Sequence, residues 1–183
     1  FTLSRYLAIY FGNGLSEACR SFDCCHFTIQ FQYISGNYLL LKAAVFDDFY
    51  GQAKIRMEKG EQVDPSNLWD IRKRLNCNEV RYLDMWMVLY TQEFGLNEEE
   101  DSKFQKYIDP FDGIIMWTWK ECDVPLIPEK YEVFKKMTQN QRRMFGCYLW
   151  NFGEEKPATG AAVKWQLDWY REQILAGDAE GVV

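Results

Sequence analysis

Short apolar runs, each ending at carboxylate or aromatic residues, alternate along this chain with stretches that have the periodicity of amphipathic helices. The apolar runs predict strands at 42–47, 82–90, 112–118, 143–150 and 180–183. The periodic stretches predict helices at 65–76, 98–108, 129–137 and 158–176. Strand centres recur at roughly 30–40 residues, the span of a βα unit. Because the strands are apolar on both faces, the pattern predicts an α/β fold with a helix-covered parallel sheet.

Capping residues mark the ends of the predicted helices. Asp64 precedes a proline and Asn97 precedes an acidic run, and both residue types accept hydrogen bonds from the free N–H groups of a first helical turn. Pro128 suits the first turn of the helix at 129–137, and Gly177 suits the left-handed backbone that ends a helix. The helix boundaries are therefore predicted independently of the apolar periodicity.

The strand ends decide between an open doubly wound sheet and a (β/α)8 TIM-type barrel. No glycine-rich phosphate loop follows any predicted strand, and polar or aromatic residues end every legible strand instead of gathering at one switch point. Both features favour the barrel. We expect residues 1–183 to form a single α/β barrel domain or a fragment of one, roughly its C-terminal half or more.

Residues 1–41 are predicted to be an irregular N-terminal part that precedes the successive βα units of 42–183. A weak helix is indicated at 15–22 and an alternating strand at 26–33, with too few residues after it for a crossover helix. This segment is either an irregular excursion or lacks residues.

No signal-peptide pattern is visible, so the cellular location is not indicated. We interpret the sequence as an internal piece of a longer chain or as its ordered residues only.

Composition and charge exclude several classes of partner. Hydrophobic residues make up 48% of the chain and aromatic residues 17%, which favours a packed core. The net charge is −6 and the basic residues are scattered, so we predict no nucleic-acid partner. No apolar run approaches the length of a membrane span, and nothing indicates the oligomeric state.

The cysteines are typical of reduced core thiols. Four of the six are dispersed at non-repeating spacings, and Cys147 falls inside a predicted strand. The group of Cys19, Cys24, Cys25 and His26 has no second ligand pair at zinc-finger spacing, and adjacent cysteines in a strand point to opposite sides. We therefore predict no metal site and no cofactor.

Carboxylates at two strand ends are the candidate catalytic residues. Asp47 and Asp48 follow the first predicted strand, and Glu93 follows the next. Neighbouring strands stand about 4.8 Å apart, so carboxylates on adjacent strand ends can lie within the roughly 5–10 Å that glycoside hydrolysis requires. Asp48 and Glu93 are the predicted acid and base, with Tyr50 orienting the aspartate. The alternative is structural, with helix-capping or loop aspartates and a solvated loop glutamate.

Aromatic and amide side chains at the strand ends are the candidate substrate-binding residues. Trp117 and Trp119 are two residues apart and share one side of their strand, and Trp150 ends the following strand. Flat rings beside polar groups suit a sugar, although tryptophans packed in the core are an equally good interpretation. The predicted set contains Tyr50, Tyr90, Trp117, Trp119, Trp150 and Asn151.

Three strand-end segments resemble uncharacterised bacterial glycoside-hydrolase-like (β/α)8 barrel proteins. These segments are 45–50 (Val-Phe-Asp-Asp-Phe-Tyr), 117–119 (Trp-Thr-Trp) and 145–153, and the resemblance covers about residues 42–183. It implies a carbohydrate-active barrel and supplies no established catalytic pair. Barrels of this appearance often have an aspartate where this chain has Asn151, so that residue is expected to form hydrogen bonds and not to catalyse.

Three hypotheses for the function follow from these residues. The first is a glycoside hydrolase that uses the strand-end carboxylate pair and tryptophan sugar platforms. The second is a barrel that binds glycans without chemistry through its tryptophans. The third and weakest is a metal-dependent hydrolase with Asp47, Asp48 and Glu93 as oxygen ligands, although such barrels usually supply histidines as well.

Overall fold

The computed structural model describes residues 7–11, 41–76 and 83–183, with side chains from residue 43 onward. The predictions for 15–22 and 26–33, and the group of Cys19, Cys24, Cys25 and His26, lie outside the described residues.

Strands and helices alternate through most of the described chain. The strands are β1 Leu7–Phe11, β2 Leu41–Phe46, β3 Asp84–Tyr90, β4 Gly113–Thr118, β5 Arg142–Cys147, β6 Trp150–Asn151 and β7 Lys156–Pro157. The helices are α1 Phe49–Glu58, α2 Ser66–Leu75, α3 Glu98–Ile108, α4 Ile127–Met137 and α5 Gly160–Leu175. A 3-10 helix spans Glu121–Leu126.

The main sheet is parallel, and its strands are neighbours in chain order, β1-β2-β3-β4-β5. The α/β fold with a parallel sheet and helices is therefore confirmed. β1 and β5 are at the two ends of this order, so the sheet is not closed in the part of the chain that the structure describes. The described residues divide into two compact units: the first contains those within 1–87 and 110–112, and the second those within 88–109 and 113–183.

The first unit has its apolar core on β2, β3 and the two helices between them. Ala44, Val45 and Phe46 of β2 are buried, and the Phe46 ring meets the Phe111 ring edge-on with centroids 5.4 Å apart. The helices contribute Tyr50, Ala53, Leu68, Ile71 and Leu75 to the buried apolar residues.

Asp112 forms hydrogen bonds with the beginning of β3 in the first unit. Its backbone N–H donates to the Met85 carbonyl (2.8 Å), and its Oδ2 accepts from the Met85 N–H (2.9 Å). The Arg72 guanidinium forms an ion pair with this carboxylate and donates to the Pro110 carbonyl at 2.6 Å. These contacts give Asp112 and Arg72 a structural role at the amino end of the strand.

The second unit is built around β4 and β5. Every residue of β4 is buried, and the Phe145 ring of β5 stacks on the Tyr170 ring of α5 with centroids 4.3 Å apart. Val182 forms a parallel bridge with Phe145, and residues 180–183 exchange backbone hydrogen bonds with β5. This is the pairing expected of the extended segment predicted at 180–183.

The structure adds elements that the apolar pattern did not predict. Helix α1 begins directly after Asp48. It buries only Tyr50 and Ala53, so its periodic signal is weak. The strand predicted at 143–150 ends at Cys147, and the chain then folds back into the β6–β7 hairpin. β1 and the 3-10 helix were also missed. None of the helices in the described ranges is long and apolar enough to cross a membrane.

Candidate functional site

Asp48 occupies a strained position between β2 and α1. Its backbone is left-handed, with φ 56° and ψ 8°, a conformation that non-glycine residues seldom adopt and that costs energy to hold. The Asp48 N–H donates to Oδ1 of Asp47 (3.0 Å), and its carbonyl accepts from Gln52 (3.1 Å). The chain thereby turns sharply from strand to helix at the carboxyl end of β2.

The Asp48 side chain is half-buried beside a second carboxylate. Burial raises the pKa of Asp48 above its usual value, and the negative charge of Asp47 raises it further. Among the described residues, no side chain donates a hydrogen bond to the Asp48 carboxylate. A carboxyl in these surroundings holds its proton to higher pH than an ordinary aspartate, which is what a proton donor requires.

The other candidate catalytic aspartate, Asp47, and the predicted orienting residue, Tyr50, have different surroundings. Tyr50 is buried in α1 among the apolar residues of the first unit. Asp47 is half-buried, and its Oδ1 accepts the hydrogen bond from the Asp48 N–H. Their predicted roles in catalysis and substrate binding stay predictions.

Glu93 belongs to the second unit, in the turn that follows β3. Its Oε2 accepts from the Tyr90 N–H (3.0 Å), and its own N–H donates to the Tyr90 carbonyl (2.9 Å). The turn is tied to β4 by the Thr91 N–H, which donates to the Trp117 carbonyl at 2.9 Å. The glutamate is thus fixed at a strand end, and its pairing with Asp48 of the first unit stays a prediction.

Gln92 and Asp123 join this turn to the 3-10 helix after β4. Gln92 Nε2 donates to Asp123 Oδ2 at 2.5 Å. The other amide atom, Oε1, is enclosed, and none of the described residues donates a hydrogen bond to it. A buried acceptor without a donor is uncommon and unfavourable in proteins.

Trp117 is buried, with 6% of its surface exposed. Its indole ring lies over Gly146 of β5 and stacks on the Tyr148 ring, with centroids 4.6 Å apart. The Tyr148 ring in turn meets Phe152 edge-on at 4.9 Å. Trp117 therefore packs inside the second unit, and its use as a sugar platform stays a prediction.

Rings of the β6–β7 hairpin and of the loop after β4 reach the surface. Trp150 is 42% exposed and Phe152 is 45% exposed. Trp119 is half-buried, with the Lys120 ammonium 4.8 Å from its ring centroid. Phe152 is held close to this loop because its N–H donates to the Trp119 carbonyl (3.1 Å). These accessible rings therefore lie on the β6–β7 hairpin and the loop after β4.

Asn151 is a buried link between that loop and the hairpin. It is 4% exposed, and its Oδ1 accepts from the Glu121 N–H (3.2 Å) and the Gly153 N–H (3.1 Å). Its Nδ2 donates to Glu154 at 3.3 Å. Both ends of the amide are engaged by the protein, so in this structure Asn151 positions the aromatic segments.

Glu121 links the same loop to the start of α5 by hydrogen bonds. Its two carboxylate oxygens accept from the Thr159 N–H (2.9 Å) and the Thr159 hydroxyl (2.7 Å). These hydrogen bonds lower the pKa of Glu121.

No group of three or more histidine, cysteine, aspartate or glutamate residues in the described ranges is arranged to hold a metal ion. Cys122 and Cys147 are free thiols, exposed and half-buried respectively, and burial raises the pKa of Cys147. The hypothesis of a metal-dependent hydrolase gains no support from these residues.

The sequence reasoning overlooked several residues of this surface. Tyr148 and Phe152 alternate with Trp150, a period of two that could have marked them as ring-bearing neighbours. Gln92 and Asp123 are far apart in sequence, so their contact has no local signal.

The chain matches no model of a known protein family, no curated protein and no solved structure.

Proposed function

We propose that this protein is a carbohydrate-active (β/α)8 barrel that hydrolyses glycosidic bonds, with Asp48 as the proton donor and Glu93 as the second carboxylate. The observation that carries the proposal is Asp48 itself. Its left-handed backbone is unfavourable, and its half-buried carboxyl has a raised pKa. Such strain and such a shift are concentrated at functional sites.

The order of the strands supports the barrel part of the proposal. In a doubly wound sheet the strand order reverses at a switch point, whereas in a barrel each strand lies beside the next one in the chain. The order β1-β2-β3-β4-β5 contains no reversal. Residues 180–183 continue the same order beyond β5.

The proposed chemistry requires two carboxyls in different protonation states. Asp48 gives its proton to the leaving glycosidic oxygen. Partial burial and the neighbouring charge of Asp47 raise its pKa, so the carboxyl still carries that proton when the substrate binds. Glu93, oriented by the Tyr90 N–H, either attacks the anomeric carbon to form a glycosyl-enzyme that water then hydrolyses, or deprotonates the water that attacks that carbon. Trp150, Trp119 and Phe152 supply ring faces for the sugar.

A glycan-binding protein without chemistry is the second candidate. The exposure of Trp150 and Phe152 favours it, because a ring surface binds sugars whether or not the acids react. The two candidates share a ligand and differ in turnover.

A panel of oligosaccharides, assayed by product chromatography and by calorimetry, tests both. Asp48→Asn and Glu93→Gln are each expected to lower turnover at least about 100-fold, the scale of acid–base catalysis, with little change in affinity. Asp70→Asn, an exposed aspartate of α2, is the matched control and should keep full turnover. Binding without wild-type turnover would favour the second candidate. If no oligosaccharide is bound or cleaved, both fail.

A further inference from the structure

The amide oxygen of Gln92 has no hydrogen-bond donor among the described residues. The Gln92 Nε2 donates to Asp123 Oδ2 at 2.5 Å, so Oε1 is the amide atom that is left for another partner. Oε1 is enclosed and accepts no hydrogen bond from the described residues. The neighbouring residue is Glu93, the proposed second carboxylate.

We infer that Gln92 Oε1 accepts a hydrogen bond from a hydroxyl group of the bound sugar, with Asp123 as the positioning residue, and that this subsite selects neutral glycans. The inference rests on the proposed function and adds two residues and a substrate class to it. The amide oxygen can only accept, so its partner must be a donor such as a sugar O–H or the N–H of an acetamido group.

The charge beside Gln92 sets the selectivity. Asp123 Oδ2 lies 2.5 Å from Nε2 of the same amide, so a group that reaches Oε1 comes close to that carboxylate. A uronate or a phosphate on the ligand would meet like charge there, which is unfavourable in a partly enclosed site. Neutral hydroxyls carry no such penalty.

Access to the oxygen requires a change of side-chain conformation. Gln92 and Asp123 are both half-buried, so each also reaches the surface of the second unit. They lie in a turn and a 3-10 helix, outside the strands of the sheet. Side-chain rearrangements of this size are common when a ligand binds, and the strands need not move.

The chain offers a matched control for this glutamine. Gln141, just before β5, is buried and also has an enclosed Oε1 without a described donor. It lies at the amino end of its strand, away from the turn that carries Glu93. Gln141→Met therefore makes the same chemical change as Gln92→Met in a place where no ligand is proposed.

Calorimetry with β-1,4-linked glucose hexamers, N-acetylglucosamine hexamers and α-1,4-linked galacturonate hexamers tests the inference. Wild type is expected to bind a neutral hexamer more tightly than the galacturonate. Gln92→Met should weaken neutral binding about 3- to 10-fold, the effect of losing one neutral hydrogen bond, and Gln141→Met should not. Asp123→Ala should weaken binding similarly, and Asp123→Asn, which keeps an acceptor for Nε2, should restore it.

Unchanged neutral binding by Gln92→Met, or tighter binding of the galacturonate by wild type, would overturn the inference and leave the proposed function standing. Equal losses in Gln92→Met and Gln141→Met would also overturn it, because they would report a general effect on packing. Thermal unfolding of all variants confirms that they are folded. If the wild type binds none of the hexamers and cleaves no oligosaccharide of the panel, the inference and the proposed function fail together.

Discussion

The indole ring of Trp117 lies so close over Gly146 that a β-carbon at residue 146 would be 2.0 Å from Trp117 Cδ2. The two residues are register partners on β4 and β5. Glycine is required here because only a hydrogen atom fits between the strand backbone and the ring. This contact explains how a tryptophan at a strand end comes to be buried.

Gly146→Ala is expected to lower the free energy of unfolding by about 1–3 kcal/mol, because the added methyl group forces Trp117 out of its place. Urea unfolding monitored by tryptophan fluorescence measures the change. Gly160→Ala is the control, since nothing lies within 4 Å of a β-carbon there and the residue is in α5. Its effect should be neutral or stabilising. Equal stability of Gly146→Ala and wild type would contradict the packing described here.

The stability of the protein should depend on pH through Asp48. Its pKa in the folded chain is raised above the ordinary 3.8, so the unfolded chain loses this proton first as pH rises. The stability contribution is full below the ordinary pKa and is lost as pH rises through the raised value. Asp48→Asn, which cannot ionise, should therefore be more stable than wild type at pH 7, by a margin that shrinks towards pH 4. Urea titrations between pH 4 and pH 7 measure the difference in unfolding free energy between the variant and wild type. A difference that does not change with pH would show that ionisation of Asp48 is not its cause.

Thr159 should contribute to stability through two hydrogen bonds of its hydroxyl group. The hydroxyl caps α5 by accepting from the Ala162 N–H (3.2 Å) and donates to Glu121. Thr159→Ala is expected to cost about 1 kcal/mol of unfolding free energy, the usual loss for a helix cap. The Glu121 contribution is present above its ordinary pKa of 4.5 and is lost as pH falls through the lowered value.

Thr159→Ser keeps the hydroxyl group and is the control for this cap. It should retain most of the stability and its dependence on acid pH in thermal unfolding experiments. If serine is as destabilising as alanine, the hydrogen bonds are not the source of the effect.

Trp150 and Trp165 allow a matched test of sugar stacking, because they are 42% and 40% exposed. Trp150→Ala should weaken oligosaccharide binding by about 1–3 kcal/mol, the scale for removing a large ring from a contact surface. Trp165→Ala, on α5, should leave binding unchanged. Calorimetry on the oligosaccharide panel compares them. Equal losses for the two variants would show that the stacking surface is not on the hairpin.

Local signals predicted most of the fold. Asn97 caps α3 by accepting from the Glu99 N–H at 2.9 Å, and Gly177 takes a left-handed backbone with φ 83°, as its position after a helix indicates. Such features depend on residues a few positions apart, so the sequence contains them directly. Helix α1 was not predicted because it has only two buried residues, too few to produce a clear helical periodicity in the sequence.

The candidate site was less accessible to sequence reasoning. The sequence by itself determined that carboxylates and rings end the strands, since strand ends follow from the apolar runs. Only the tertiary structure decided that Trp117 is buried while Trp150 is exposed, because exposure depends on what packs against a side chain from other strands. It also decided the contact of Gln92 with Asp123, 31 positions apart, and the consecutive parallel order of the strands. These relationships join distant parts of the chain, and no local pattern of residues records them.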